Sequence, residues 1–383
     1  MEHNRRRVLA AAKAVFAERG FREAELDDIA ERAELTRDAI HSCFPGKRAL
    51  YFAVLAELAE LEADNGERPK PEVGGPGAAL REFARAWVER LPLAGDAEPP
   101  RLTMDLLAEV QADERIRRPY AQLMRLAALL LGLALEQVAA GGGGRPERGP
   151  GSWTARAEVT RREEERDWED QEERPRLVRV AEAALTTLHG AAQLSAAAPG
   201  FVDEFGLPLA VERLAGLDGQ GQADRWAPPH LEFAPLAVTE ERTWDPPAAF
   251  DAVTAEPARL GGDGVVAVLG VRRLSVAEEA VRAVPPGETV SVIVVSEEPA
   301  ELLPLARLVV AEVAGRVRRV FPLHAWPRVQ VVFDETGALA AAAGVREPDD
   351  LTQVALRVAG RRVVASAEGY GACHAAGTWP SLD

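Results

Sequence analysis

Side chains able to do chemistry are sparse in this 383-residue chain. Its two cysteines, Cys43 and Cys373, stand near opposite ends, so neither a disulfide framework nor a cysteine-based zinc cluster can be built from them. Cys373 is followed by His374, a nucleophile and a base in composition, but adjacent residues rarely face one another and no catalytic residue is assigned. His189, His230 and His324 stand alone, without metal-ligand spacing. The glycine run 141–144 lacks the Lys-Ser/Thr of a phosphate loop and follows a helical pattern rather than a strand. Glu163-Glu164-Glu165 reads as a surface charge run. These residues point to no enzyme, no metal and no cofactor, and the chemistry left is recognition.

Composition sets the frame for that recognition. Hydrophobic residues make up 47% and charged residues 28%, which fits a globular protein and excludes a wholly disordered one. The length implies at least two domains. The formal net charge is −16, yet residues 1–50 hold ten Lys/Arg against nine Asp/Glu. The acid excess therefore lies outside the first fifty residues. The N-terminus does not read as a signal peptide, and the most apolar run, Leu126–Leu135, is well short of a membrane span. A cytoplasmic protein is expected, with no membrane partner.

Four helices with short connections are expected over residues 1–63. Val8, Ala11, Ala12, Val15 and Phe16 recur at helical spacing before Gly20. Leu26, Ile29, Ala30 and Ala33 mark a short second helix. Thr36 is the expected N-cap of a third, with Ile40 and Phe44 as its apolar contacts and Pro45-Gly46 as its stop. Leu50, Val54, Leu58 and Leu61 line a fourth. Two short helices joined by a tight turn and braced by another are how a helix-turn-helix presents one helix to the major groove. Helical patterns continue at Ala78–Leu91, Arg101–Asp113, Pro119–Ala140, Leu177–Ala197 and Phe201–Leu217. A glycine-rich loop at 141–151 and a charged insert at 158–176 interrupt them.

The run from Arg6-Arg7-Val8 through Phe16-Ala17-Glu18-Arg19-Gly20-Phe21 and Asp28-Ile29-Ala30 to Phe44-Pro45-Gly46-Lys47 resembles the TetR family of bacterial transcriptional regulators. The later helices resemble that family's regulatory domain more loosely. The resemblance implies a homodimer that binds a palindromic double-stranded DNA operator as a repressor and releases it when a small molecule enters the helical core. It makes Thr36, Arg37, His41, Ser42 and Lys47 the candidate DNA-binding residues; Arg37 suits a guanine edge and Lys47 a phosphate. The chain departs from the family pattern at Ala24, Glu25, Glu34 and Asp38. Glu34 stands in the turn where glycine is usual, and a positive φ there would cost on the order of 1 kcal/mol. Phe83, Trp87, Met104, Leu107 and Met124 are the candidate ligand-binding residues for an apolar effector. The pair Leu177–Ala197 and Phe201–Leu217 is the expected dimer interface.

From Asp218 the texture changes. Residues 218–264 are rich in Pro, Gly and Trp and read as a linker. Strand-like runs follow at Val265–Val271, Val290–Val295, Val329–Phe333 and Val354–Val358, with Arg362–Ala365 as a fifth. Helical patterns at Val276–Val284 and Pro299–Val313 alternate with them, which implies a small α/β domain. Val329–Phe333-Asp334-Glu335-Thr336-Gly337, with Gly360-Arg361, looks like the later half of a thioredoxin-like domain. Its redox thiols are missing, since the first strand leads into Gly270-Val271-Arg272-Arg273-Leu274-Ser275. The expected organisation is a helix-turn-helix over 1–63, an all-helical ligand-binding and dimerisation domain over 64–217, a linker over 218–264 and the α/β domain over 265–383. Three readings stay open: a ligand-responsive DNA-binding repressor; a TetR-like dimer with degenerate DNA contacts acting as a binding or interaction module; and an enzyme built on the α/β domain.

Overall fold

The computed structural model describes residues 2–64, 73–91, 102, 105–141, 176–216, 230–231, 234–285 and 287–379. The glycine-rich loop after Gly141, most of the charged insert, the first part of the expected linker and Met104 lie outside these residues.

The first half is helical. α1 (Glu2–Glu23) carries Gly20 at φ +76, a left-handed turn that glycine adopts without a steric penalty, and this ends the regular helix as expected. α2 (Leu26–Ala33) and α3 (Arg37–His41) follow, and Ile29, Ala30, Ala33 and Ile40 are buried against α1 and α4 (Lys47–Asp64). Phe16 and Phe21 close on Tyr51 of α4, with ring centroids 5.4 and 4.8 Å apart. The Tyr51 hydroxyl donates to the Leu102 carbonyl at 2.6 Å, which satisfies its polar end inside the core. The body consists of α5 (Pro76–Val88), α6 (Leu106–Ala112), α7 (Glu114–Gly141), α8 (Val178–Ala197) and α9 (Gly206–Leu214). The apolar run expected to be too short for a membrane lies within α7, whose 28 residues are long and apolar enough by length and composition. Some 67% of its most apolar window is buried inside the protein.

The second half is a mixed sheet in the order β1-β8-β7-β4-β5-β6. β4 (Gly264–Gly270), β5 (Thr289–Val295) and β6 (Val329–Phe333) are parallel. β7 (Gln353–Ala359) pairs antiparallel with β4, and β8 (Arg362–Glu368) with β7. Residues 238–257, expected within the linker, instead form β1 (Val238–Thr243) on the edge of this sheet and a two-stranded hairpin, β2 (Phe250–Asp251) with β3 (Glu256–Pro257). β1 reads VTEERT and none of it is fully buried, so it carries no apolar signal. Trp244 behind it is buried and donates from Nε1 to the Leu260 carbonyl at 2.7 Å.

Helices cover both faces of the sheet, as an all-apolar central strand such as Gly264–Gly270 requires. Val266 and Val268 of β4 face one core with Leu339 and Ala340 of α12 (Ala338–Ala342). Val265, Ala267 and Leu269 face the other, with α10 (Ala277–Ala283), α11 (Pro299–Val320) and α13 (Ala372–Gly377). That second core does not stop at the sheet. It runs without a break through the helical body to Val8 and Phe16 in the headpiece.

The bridge is α11, which lies along α4 and α7. Gly315 lets the two backbones approach, because a Cβ there would stand 2.6 Å from the Ala63 Cβ. This explains why eight consecutive residues of α4, Ala49–Ala56, are buried: α1 covers one side and α11 another. Ion pairs line the same junction. Arg307 grips Glu60 through two bonds of 2.8 and 2.7 Å, and Arg282 grips Glu136 of α7 through two of 2.8 Å. Arg48, at the start of α4, binds both Asp113 (3.1 Å) and Glu301 of α11.

Candidate functional site

The headpiece presents α3 to solvent. Thr36 is its N-cap: the hydroxyl accepts from the Ala39 N–H at 3.2 Å, as its position in the sequence implied. Ile40 faces inward, while Thr36, Arg37, Asp38, His41 and Ser42 are exposed. The side chains expected at a nucleic acid are therefore brought to one short exposed element, apart from Lys47.

Lys47 sits at the N-terminus of α4 and points back into the protein. Its ammonium donates to the carbonyls of Phe21 (2.8 Å), Ala24 (2.9 Å) and Arg22 (3.3 Å) and lies 4.5 Å from the centre of the Phe21 ring. All three donors of the ammonium are thus taken by the chain leaving α1. As it stands, Lys47 is a brace between α1 and α4 rather than a free hand for phosphate.

The acidic departures have structural employment too. Glu34 adopts φ +49, ψ +45, the left-handed conformation that is costly for a residue with a Cβ. Arg7 holds the turn, donating to the Ala33 carbonyl at 2.7 Å and to the Glu34 carboxylate at 3.2 Å. Asp28 accepts from the Glu25 backbone N–H at 3.3 Å and from Arg19 at 2.6 Å, and so supplies an N-terminal cap to α2 in place of a hydroxyl. Asp27 lies 3.5 Å from Arg37, a loose exposed pair that a competing phosphate or guanine can displace.

Among the candidate effector residues, Phe83 and Trp87 are buried, with ring centroids 6.3 Å apart, and Leu107 is half-buried. Trp87 is stacked between the body and the α/β region: His189 meets it edge-on at 4.8 Å and the Arg316 guanidinium lies over it at 4.2 Å. Burial drives the Arg316 guanidinium down to about 10 and lowers His189 below its ordinary value. Met124 is different. It lines a cavity of about 630 Å³ between α7, α8 and the start of α10, together with Leu129, Leu185, Glu279, His230 and Tyr370. The sequence marked His230 only as a lone histidine and gave no signal for Glu279 or Tyr370, since nothing in their spacing connects them.

Cys373 is fully buried on α13, and burial together with the nearby Glu279 pushes its thiol well above the usual range. That disfavours the thiolate a nucleophile needs. Where a redox thiol would follow β4, the Ser275 N–H donates to Gln122 of α7 at 2.9 Å, and the loop is spent on anchoring the sheet to the body.

Residues 8–54 match the model of the family described as bacterial regulatory proteins, tetR family. No curated protein matches the chain. Two solved structures align with part of the chain. One is a TetR transcriptional regulator from Rhodococcus sp. RHA1, 16% identical over 57% of this chain and 97% of that one, with a TM-score of 0.31. The other is the transcriptional regulator FadR from Bacillus subtilis in complex with stearoyl-CoA, 15% identical over 55% and 96%, with a TM-score of 0.30. The chain thus carries a TetR-type helix-turn-helix at its N-terminus, followed by a helical body and a C-terminal α/β region with a mixed sheet.

Proposed function

We propose that this protein is a ligand-responsive transcriptional repressor that binds a palindromic operator as a homodimer. The observation that carries the reading is the exposed α3, capped by Thr36 and offering Arg37, His41 and Ser42 from within a headpiece that matches the family model. Thr36 and Ser42 would contact backbone phosphates, and Arg37 would leave Asp27 for a guanine edge. Lys47 would contribute its charge while bracing α4. Support for the dimer comes from four apolar side chains of one segment, Leu194, Phe201, Phe205 and Leu209, which are 47, 71, 75 and 44% exposed. They fall in the two stretches expected to form the interface. The Met124 cavity supports an effector site.

For the α/β region we propose a thioredoxin-like scaffold put to a structural and ligand-binding use. β6 runs into Asp334, Gly337 turns at φ +75 into α12, and β7–β8 form a hairpin around Gly360-Arg361. This succession is the one its resemblance implied. The second reading, a TetR-like dimer that binds ligand or protein but no DNA, is favoured by two observations: Lys47 is engaged internally, and Asp38 stands exposed on α3.

Fluorescence anisotropy with DNA fragments flanking the gene, at low and moderate salt, decides between them. A specific complex whose affinity falls steeply with salt is expected. Absence of any complex at low salt would leave only the second reading, whereas an Arg37→Ala variant that binds as well as the parent would remove Arg37 from the contact.

A further inference from the structure

Glu279 is the best-enclosed carboxylate on the wall of the 630 Å³ cavity, being 4% exposed. One of its oxygens, Oε1, lies 2.8 Å from His230 Nε2, and the other, Oε2, has no hydrogen-bond partner. Buried carboxylates without a full set of donors are costly, and native proteins supply the missing donor from a side chain, a water or a ligand. Among the described residues no arginine or lysine forms an ion pair with Glu279. Arg179, on the cavity wall, pairs with Glu182 at 2.8 Å, and Arg282, three residues along α10, pairs with Glu136 at 2.8 Å. Arg273 lies over the Tyr370 ring, 5.5 Å from its centre, and Arg125 is solvent-exposed.

The rest of the wall suits an organic group. Met124, Leu129 and Leu185 give an apolar side contributed by the helical body. Tyr370, 56% exposed, stands at the rim and meets His230 edge-on at 4.6 Å, so the aromatic pair and Glu279 form one polar end contributed by the α/β region. A carboxylate with a free lone pair next to an aromatic ring favours an ammonium group, which donates hydrogen bonds and neutralises the buried charge at once.

We propose that this cavity binds a primary amine carrying an apolar group, with the ammonium drawn to the Glu279 carboxylate and the apolar part against Met124 and Leu185. The site requires both halves of the molecule, which gives the α/β region a direct part in sensing. The proposal deepens the effector reading above and rests on it only for the consequence at DNA.

The test measures binding by titration calorimetry to the full-length protein without DNA. Three amines of graded size, benzylamine, octylamine and tryptamine, are each compared with the corresponding alcohol, and tryptamine also with indole-3-acetate. At least one amine is expected to bind tenfold or more tightly than its alcohol, with indole-3-acetate weaker than both. Glu279→Gln, which keeps the shape, is expected to erase that preference while leaving the alcohol's affinity within about twofold. Met124→Trp, which fills the apolar end, is expected to weaken amine and alcohol alike. If no amine outbinds its alcohol tenfold, or if a folded Glu279→Gln variant keeps the preference, the proposal is wrong. DNA anisotropy with the best amine is a separate arm: release of DNA is expected, and DNA binding that the amine leaves unchanged overturns the effector reading while the calorimetric result stands.

Discussion

Arg37 and Glu34 are the residues at which the proposed DNA contact is most directly tested. If Arg37 reads a guanine edge through two hydrogen bonds, Arg37→Ala should cost about 1–3 kcal/mol of specific binding and relax the sequence preference at one operator position, as read by anisotropy with base-substituted operators. Glu34→Gly removes a left-handed strain of about 1 kcal/mol and one negative charge beside the proposed DNA-binding helix, against the loss of an exposed pair with Arg7 worth less than that. The variant should unfold at the same or higher denaturant concentration and bind DNA more tightly; a fall in both would mean that the Arg7–Glu34 contact is structurally essential. Thr36 was legible because capping is a local, one-turn interaction. Lys47 was not, because its three acceptors lie more than twenty residues away in sequence. His189, desolvated beside Trp87, has a lowered affinity for a proton while the unfolded chain binds one near 6.5. Protons therefore pull towards the unfolded state: the contribution is fully favourable above about pH 6.5 and declines below it, by up to about 1.4 kcal/mol per pH unit. Denaturation series between pH 7.5 and 5.5 should show this slope in the parent and a shallower one in His189→Gln.

Pairs of elements explain what the side chains alone do not. α4 starts in the headpiece with Lys47 and Arg48 and ends at Asp64 against α11, so a single rigid helix touches all parts of the molecule. Its contact with α11 depends on Gly315. Gly315→Ala places a methyl 2.6 Å from the Ala63 Cβ and should destabilise by about 1–3 kcal/mol in urea denaturation. Ala63→Gly in the same chain should restore part of that loss, and a double variant no more stable than the single one would place the strain elsewhere. The strands of the parallel core were legible as apolar runs, since a strand covered on both faces has no polar alternation to hide it. β1 was not, because an edge strand with one solvated side, reading VTEERT, offers no hydrophobic period.

The molecule as a whole behaves as one packed body in its described part. One apolar core passes from Val8 through Phe83 and Leu131 to Val265 and Leu303, and the ion pairs Arg307–Glu60, Arg282–Glu136 and Arg48–Glu301 close its seams. A core shared between the two halves is expected to couple their unfolding, although chains of several domains often unfold in steps. Thermal denaturation followed by far-UV circular dichroism and by tryptophan fluorescence should give one coincident transition, and two separated midpoints would show that the α/β region melts by itself. Truncation after Leu217 should leave α4 and α7 with exposed apolar faces and produce an aggregating product rather than a soluble regulator.

The headpiece helices, the helical body and the apolar strands were written in the chain itself: helical periodicity, the Thr36 cap, the Gly20 stop and the apolar runs are set by interactions spanning a few residues. So was the match to the headpiece family, which rests on contiguous residues 8–54. Only the tertiary structure decided that α11 lies on α4, that Lys47 turns inward, and that Glu279, His230 and Tyr370 meet Met124 around one cavity. Those outcomes depend on contacts between segments far apart in sequence, where burial of shared apolar surface selects the arrangement and no local pattern records the partner.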